Sequence, residues 1–227
     1  MSSLVGEKRD TKPTPRRSGC FYNAPISSED NMRNTAIISL VVGAASFLTH
    51  VLIDPRLRKD AVAKSVKLTK HDGGTSRTIQ IVFLFSWLLL FLTALPNEFQ
   101  VGVVQPHLLI TVIGVALMVG GFLIRVVAMR TLGEFFTRTL RIREKHRVVS
   151  GGIYRHIRHP GYLGTIVFFV GSGIATANAI TTLLILTALL PAFVRRMAVE
   201  ERMLTEQLGE EYKAYQGKTW RLIPFVF

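Results

Sequence analysis

The sequence predicts an all-α integral membrane protein with about five transmembrane helices, of which the last two form a helical hairpin. Two observations support this fold class. Of the 227 residues, 48% are hydrophobic, and they are concentrated in long blocks that carry almost no charge. The 28 Lys and Arg residues lie mainly outside those blocks, and strongly basic connections alternate with connections that have no basic residue. Both patterns are typical of helices that cross a lipid bilayer.

Four apolar blocks define the predicted helices. Three of them reach or approach the roughly 20 residues that a helix needs to cross the hydrocarbon layer. They are residues 36–53, 79–95 and 107–129. The fourth block, 162–194, is too long for one crossing and is interrupted by Ala177-Asn178, so we interpret it as two helices joined by a tight turn.

The third block contains small residues and one charge. Gly114, Gly120 and Gly121 are small enough to let a neighbouring helix approach closely. Arg125 lies near the end of the block, where we expect its long side chain to extend towards the lipid headgroups.

The distribution of the +13 net charge predicts the orientation. The connection between the first two spans contains seven Lys and Arg residues, the segment 130–158 contains eight and the C-terminal part six, whereas the other two connections contain none. Basic segments favour the cytoplasmic side, and five spans then place the N-terminus on the opposite side. The six basic residues of the N-terminal tail oppose this placement. The positive charge therefore indicates topology and contact with anionic lipids, and no nucleic-acid partner is expected.

The chain divides into three predicted parts. Residues 1–33 contain several prolines among polar residues and should form a disordered tail. Residues 34–129 contain the first three transmembrane helices, and residues 130–227 contain the hairpin and a polar C-terminal segment. A cleavable signal peptide is not expected, and the single Cys20 excludes an intramolecular disulfide. The sequence contains no clustered metal ligands, so no metal site is expected.

Polar and aromatic residues crowd the entrance of the fourth block, in the stretch GGIYRHIRHPGYLG at 151–164. Proline favours the first position of a helix and disfavours helical geometry in the residue before it, so Pro160 should begin the helix and His159 should be extended. The helix N-terminus attracts anions, and the rings of Tyr154 and Tyr162 attract cations. S-adenosylmethionine, with a carboxylate, a cationic centre and a flat ring, would fit. A helix start anchored at the lipid headgroups explains these residues equally well.

The helical pattern of the last span continues beyond its apolar part. Residues 179–204 would form a helix of roughly 39 Å, which exceeds the roughly 30 Å hydrocarbon layer. Its last turns should therefore project into the cytoplasm. There, Arg196 and Glu200 are four residues apart and share a helix face. A surface ion pair at the end of the helix would explain this spacing without any function.

Two stretches decide between these interpretations. VVSGGIYRHIRHPGYLG precedes the predicted hairpin, and EERMLTEQLGEEYKAYQGKTWRLIPFVF follows it. The two stretches contain four short motifs in this order: Gly-x-Tyr, Arg-His-Pro-x-Tyr, Glu-Glu-x-x-Leu and Leu-Gly-x-x-Tyr-x-x-Tyr. From about residue 130 to the end, the chain thereby resembles the isoprenylcysteine carboxyl methyltransferase family. The resemblance implies a multi-pass membrane enzyme, resident in the endoplasmic reticulum if eukaryotic, that methylates the carboxylate of a prenylated cysteine with S-adenosylmethionine.

The resemblance also implies roles for individual residues, with a cofactor site that faces the cytoplasm. Arg196 would bind the acceptor, and Arg196 and Glu200 would be the catalytic residues. The implied cofactor contacts are Thr139, His146, Arg147, Val148, Val149, Tyr154, His159, Pro160, Gly161, Tyr162 and Glu200. Thr139 stands where the family often has glutamine. The implied partners are the lipid bilayer and a prenylated protein or a prenylcysteine-like lipophilic acceptor.

The implied reaction is in-line methyl transfer to a carboxylate, which with a pKa of about 3.5 is already ionised at neutral pH and needs no general base. A phospholipid or small lipophilic acid methyltransferase would share the cofactor site and differ in the acceptor cavity. An NADPH-dependent membrane reductase would need further basic contacts, for which Arg138, Arg141 and Arg143 are candidates.

Overall fold

A computed structural model of the chain describes residues 28–49, 51, 73–99, 101–105, 107–133 and 148–225. Within these ranges the chain is helical, and β-pairing is limited to two isolated bridges. The α-helices are α1 Ser28–Leu48, α2 Thr75–Leu92, α3 Ala94–Glu98, α4 His107–Leu132, α5 Pro160–Ala175, α6 Ala179–Leu208 and α7 Glu210–Gln216. A short 3₁₀ helix covers Gly152–Arg155. The predicted all-α class is confirmed.

Each predicted span corresponds to a helix. Three helices, α2, α4 and α6, are long and apolar enough to cross a membrane. The apolar part of α1, Asn34–Leu48, and the whole of α5 are shorter. Large apolar side chains face outwards on α2 and α4: Leu84 is 65% exposed and Leu108 is 67% exposed. A surface of this kind is suited to lipid and agrees with the predicted integral membrane class.

Two helix boundaries differ from the prediction. Helix α1 begins at Ser28, so its first residues include the end of the segment 1–33 that was predicted to be a disordered tail. Helix α6 continues to Leu208, beyond the predicted end at residue 204. Gly209 follows with a φ of 58°, a conformation that glycine adopts easily and that ends the helix.

The predicted turn at Ala177-Asn178 is confirmed. Helix α5 ends at Ala175, and the Asn178 side chain caps α6 by accepting a hydrogen bond from the Thr181 backbone N–H (3.0 Å). The Ala177 carbonyl accepts a bond from the Val104 N–H (2.8 Å). The turn is therefore tied both to its own helix and to the segment before α4.

Helices α4 and α5 pack with their backbones in contact. A Cβ atom added at Gly114 would lie 2.2 Å from the Ala175 nitrogen, and one added at Gly121 would lie 2.4 Å from the Phe168 nitrogen. Two glycines of α5 make the same approach from the other side, Gly164 and Gly171. The prediction of close helix approach is confirmed for Gly114 and Gly121. It is wrong for Gly120, which faces open space because adjacent helical residues point about 100° apart.

A buried apolar cluster joins α2, α5 and α6. Its largest fully buried side chains are Leu90, Phe169, Ile185, Leu189, Phe193 and Met197. The ring of Phe83 on α2 stacks against Phe169 on α5, with the ring centroids 5.1 Å apart. This packing holds α2, α5 and α6 together.

Polar residues gather at two opposite ends of the helix bundle. We call them the His159 end, where α5 begins, and the Asn97 end, where α5 finishes beside α3. Thr35, near the start of α1, donates a hydrogen bond to the Asn97 carbonyl (3.4 Å). Helix α1 thus begins at the end opposite to the start of α5, which is the arrangement that the five-span topology requires.

Candidate functional site

Pro160 is the first residue of α5, as predicted. His159 precedes it with φ −122° and ψ 54°, outside the helical region but short of a fully extended conformation. Its carbonyl accepts hydrogen bonds from the Tyr162 and Leu163 N–H groups, both at 3.1 Å. His159 itself is buried. Because Pro160 disfavours helical geometry in the residue before it, His159 lies just outside α5, at the end of the bundle where that helix begins.

The first turn of α5 is linked to α6 through Tyr162. The rings of His159 and Tyr162 are stacked, with centroids 5.4 Å apart and planes 14° apart. The Tyr162 hydroxyl donates to Glu200 Oε2 (2.6 Å) and accepts from Arg196 Nε (3.3 Å). A single phenol hydroxyl thus connects the two α6 residues that the sequence placed on one helix face.

Arg196 lies in the interior of the protein, where 3% of the residue is exposed. Its Nη1 donates to the hydroxyl groups of Thr75 (2.8 Å) and Ser76 (2.9 Å) at the start of α2. Three hydroxyl groups, from α2 and α5, therefore fix the plane of the guanidinium. A buried charge held in this way is not the water-exposed ion pair that would have explained the spacing of Arg196 and Glu200.

Glu201 is a second carboxylate at this end, and the sequence interpretation did not assign it a role. Its Oε1 accepts from Arg158 Nε (2.9 Å) and from the ring of His159 (3.1 Å), and its Oε2 accepts from Arg221 Nη2 (2.6 Å). Glu201 is 10% exposed at its side chain, against 25% for Glu200. The Glu-Glu doublet in the sequence was a signal, but it did not show which carboxylate is enclosed.

Tyr154 is buried in the 3₁₀ helix Gly152–Arg155. Its carbonyl accepts a hydrogen bond from the Tyr215 hydroxyl (2.7 Å) on α7. Burial, followed by the negative charge of Glu200, raises the pKa of Tyr154 well above its usual value. Burial also raises the pKa of Tyr215 to about 12, against an opposing effect of Arg158. Both phenols are therefore protonated at physiological pH.

The structure brings together most of the predicted site residues that it describes. Tyr154, His159, Pro160, Gly161, Tyr162, Arg196 and Glu200 all lie at the His159 end. Val148 and Val149 are half-buried and lie shortly before the 3₁₀ helix. The other predicted contacts, Thr139, His146 and Arg147, lie outside the described residues, as do Arg138, Arg141 and Arg143.

Arg125 turns inwards, which differs from the prediction that its side chain extends to the headgroups. Its Nη1 donates to the Thr165 hydroxyl (2.7 Å) and to the Gly161 carbonyl (3.4 Å). The close contact of α4 and α5 at Gly164 brings these acceptors within reach of the guanidinium. Among the described residues, no group of three or more His, Cys, Asp or Glu side chains could hold a metal ion.

Comparisons with known proteins match different parts of the chain. The family model described as "Isoprenylcysteine carboxyl methyltransferase (ICMT) family" matches residues 112–206. A protein of Oryza sativa subsp. indica named "Probable protein-S-isoprenylcysteine O-methyltransferase" is 28% identical over 159 residues, which are 69% of this chain and 83% of the rice protein. The protein-S-isoprenylcysteine O-methyltransferase of Dictyostelium discoideum is 35% identical over 50% of this chain and 49% of its own length.

The fold also matches a solved structure, that of a eukaryotic intramembrane Ras methyltransferase ICMT. The TM-score is 0.57 at 22% identity, and the match covers 87% of this chain and 67% of that chain. The fold class predicted from the apolar blocks is confirmed by this match, and the resemblance predicted from the motifs is confirmed by the family model and the named relatives.

Proposed function

We propose that this chain, which shares its motifs and its fold with the isoprenylcysteine carboxyl methyltransferase family, is an S-adenosylmethionine-dependent carboxyl O-methyltransferase of prenylated cysteine. The observation that carries this function is the pairing at the His159 end of a buried arginine, Arg196, with a partly exposed carboxylate, Glu200, across one tyrosine hydroxyl. The two groups have opposite charge and so suit two different ligands, an anionic acceptor and a cationic cofactor.

The carboxylate of Glu200 and the aromatic rings near it suit S-adenosylmethionine, which carries a positive charge. When bound, the cofactor would supply a methyl group on a sulfonium, whose sulfur would leave as a neutral thioether. One quarter of the Glu200 side chain is exposed, so its carboxylate can face a cationic ligand while Tyr162 holds one of its oxygens. The stacked rings of His159 and Tyr162 provide an aromatic surface, and such surfaces attract cations. Tyr154, Pro160 and Gly161 are buried at the same end of the bundle.

Arg196 suits the carboxylate of the acceptor. The hydroxyls of Thr75, Ser76 and Tyr162 orient its guanidinium through Nη1 and Nε, and an oriented guanidinium is a directional, charge-assisted hydrogen-bond donor to a carboxylate. The acceptor carboxylate is already ionised at neutral pH, so the residues need only bind, orient and exclude water. Arg196 lies beside the apolar cluster that contains Phe193 and Met197, which favours an acceptor with a hydrophobic tail.

The proposed site opens to the cytoplasm, because the basic connections predicted to face the cytoplasm adjoin the His159 end. The proposed partners are the bilayer and a prenylated protein or a prenylcysteine-like acceptor, in the endoplasmic reticulum membrane if the chain is eukaryotic. A phospholipid or a small lipophilic acid as the acceptor would use the same cofactor contacts, so the test of function includes both.

The test is a methyl-transfer assay on membranes that contain the full chain. They are incubated with radiolabelled S-adenosylmethionine and one of four acceptors: N-acetyl-S-farnesylcysteine, its carboxamide, a phosphatidylethanolamine or a short-chain lipophilic acid. We expect base-labile methyl ester with the first acceptor and none with the carboxamide. The variant Arg196→Ala should lose the activity, whereas its control Arg202→Ala, at an exposed arginine of the same helix, should keep it. Label transfer only to the phospholipid or the lipophilic acid would contradict the proposed acceptor.

A further inference from the structure

A segment near the C-terminus is attached to the proposed cofactor site by backbone pairing. The Arg158 N–H donates to the Trp220 carbonyl (2.8 Å), and the His159 N–H donates to the Arg221 carbonyl (3.2 Å). In the other direction, the Trp220 N–H donates to the His156 carbonyl (2.9 Å). Leu222 is buried in the apolar cluster. We call residues 219–222 the C-terminal latch.

Side chains also connect the latch to the residues just before α5 and to Glu201 on α6. Arg158 Nη1 donates to the Gln216 carbonyl (2.9 Å) and to the Thr219 carbonyl, while its Nε donates to Glu201. Arg221 Nη2 donates to the other oxygen of Glu201 at 2.6 Å. Glu201 thereby joins one arginine before α5 to one arginine of the latch, and both are largely withdrawn from water, with side chains 13% and 22% exposed.

Arg221 is linked to His159 in two ways, directly through its backbone and indirectly through Glu201. Its carbonyl accepts the His159 backbone N–H, and its guanidinium holds Glu201, whose Oε1 lies 3.1 Å from the His159 ring. The ring of His159 in turn stacks on Tyr162, which bonds Glu200. The proposed cofactor contacts are therefore linked, through His159 and Glu201, to a residue more than sixty positions further along the chain.

We propose that Arg221 is a positioning residue: through Glu201 it holds the His159 ring in the orientation that binds the cofactor, so that the C-terminal latch forms one wall of the cofactor site. This inference rests on the proposed function of His159, Tyr162 and Glu200 as cofactor contacts. A role limited to fastening the end of the chain would affect the yield and thermal stability of the protein. A positioning role affects the dissociation constant of the cofactor in the folded protein.

The nature of the contact predicts which substitutions are tolerated. Arg221 reaches Glu201 with one nitrogen, so the ammonium group of a lysine can replace it. A glutamine has polar hydrogens but no charge, and it leaves Glu201 with one of its two arginines. The pair Arg221→Lys and Arg221→Gln therefore separates the charge from the polar contact, while the backbone pairing of the latch is unchanged in both.

The experiment measures cofactor binding to purified, monodisperse full-length protein by titration calorimetry with S-adenosylmethionine. We expect Arg221→Gln and Arg221→Ala to raise the dissociation constant about tenfold, as for the loss of one charge-assisted hydrogen bond. We expect Arg221→Lys to remain within about threefold of the wild type. The control Lys218→Ala removes a positive charge from an exposed side chain beside the latch and should bind as the wild type does.

Steady-state kinetics complete the test. We expect the KM for S-adenosylmethionine to rise in Arg221→Gln, with the KM for the prenylcysteine acceptor unchanged. Equal dissociation constants for the Lys and Gln variants, or wild-type binding in both Gln and Ala variants, would overturn the positioning role. If Arg221→Ala yields no monodisperse protein, the Lys and Gln variants decide. A wild-type protein that binds the cofactor but methylates no prenylcysteine would refute the proposed acceptor alone, and one that binds no cofactor would refute both proposals.

Discussion

The two ends of the bundle bury polar residues in different ways. At the Asn97 end the groups are neutral: Asn97 Nδ2 donates to the Ser39 hydroxyl (2.7 Å) and to the Thr176 carbonyl (2.9 Å), and Asn178 Nδ2 donates to Asn97 Oδ1 (2.7 Å). The hydroxyls of Thr93 and Thr181 lie 2.7 Å apart. At the His159 end the buried polar groups include charged ones, among them Arg196 and Glu201.

The charge of the buried groups indicates a different role for each end of the bundle. Neutral amides can be satisfied by hydroxyls and carbonyls of neighbouring helices, so the Asn97 end joins α1, α3 and α6 at little electrostatic cost. Buried charges are far more costly and need partners of opposite charge or a ligand. The His159 end carries that cost, and there Glu200 also retains partial exposure. We therefore infer that one end holds the helices together and the other binds ligands.

Substitution of Arg196 should produce the largest effect. In Arg196→Lys the charge remains but the planar group held by Thr75 and Ser76 is lost. We expect kcat/KM for the prenylcysteine acceptor to fall about a hundredfold. Steady-state kinetics with each substrate varied in turn would measure it, with Arg202→Ala as the control. If the dissociation constant of the cofactor rose by the same factor, Arg196 would not serve the acceptor specifically.

Substitution of Asn97 should affect stability and not binding. Asn97→Ala leaves the Ser39 hydroxyl, the Thr176 carbonyl and the Asn178 amide each without one buried partner. The free energy of unfolding should fall by about 2–3 kcal/mol. Thermal unfolding in detergent would detect this loss, and Glu98→Ala, at the exposed neighbouring residue of α3, serves as the control. An increase in either KM in the folded variant would show that the Asn97 end also shapes the site.

Glu200→Gln should have a moderate effect on the cofactor. The amide keeps an oxygen that can accept the Tyr162 hydroxyl hydrogen, but the negative charge facing a cationic ligand is lost. The KM for S-adenosylmethionine should rise about tenfold, which corresponds to one charge-assisted interaction. Kinetics at saturating acceptor would measure the change, and Glu206→Gln, at an exposed position of α6, is the matched control. An unchanged cofactor KM would remove Glu200 from the cofactor site.

Tyr215→Phe should have the smallest effect. It removes one hydrogen bond to the Tyr154 carbonyl and should cost about 1 kcal/mol of stability. Because burial raises the pKa of Tyr215 to about 12, the wild type keeps this contribution at neutral pH. The difference in melting temperature between the two proteins should be constant below about pH 10, the usual tyrosine pKa, and should narrow above it. A difference that changes between pH 6 and 9 would contradict this assignment.

The sequence predicted the helices because a long apolar block by itself indicates a membrane-spanning helix. It also predicted the start of α5, because proline restricts the backbone of its neighbours whatever the surrounding fold. The presence of both Arg196 and Glu200 on one face of α6 followed from the helical period. These features depend on residues that are close in the sequence.

The features that the sequence could not predict depend on distant residues. Arg196 is buried because Thr75 and Ser76, on another helix, lie against it. Glu201 is enclosed because the C-terminal latch returns to the start of α5 and brings Arg221 with it. Neither the rotation of α6 nor the path of the chain after α7 is encoded in a local pattern.

The most direct test of the proposed division between Arg196 and Glu200 is the activity of the exchanged double variant Arg196→Glu/Glu200→Arg with S-adenosylmethionine and N-acetyl-S-farnesylcysteine. We predict an inactive enzyme, because each charge would face the wrong ligand. The comparison is made at equal amounts of monodisperse, membrane-extracted protein. Near-wild-type methyl transfer by this variant would contradict the assignment of Arg196 to the acceptor and of Glu200 to the cofactor, since it would show that the two residues serve only as partners of each other.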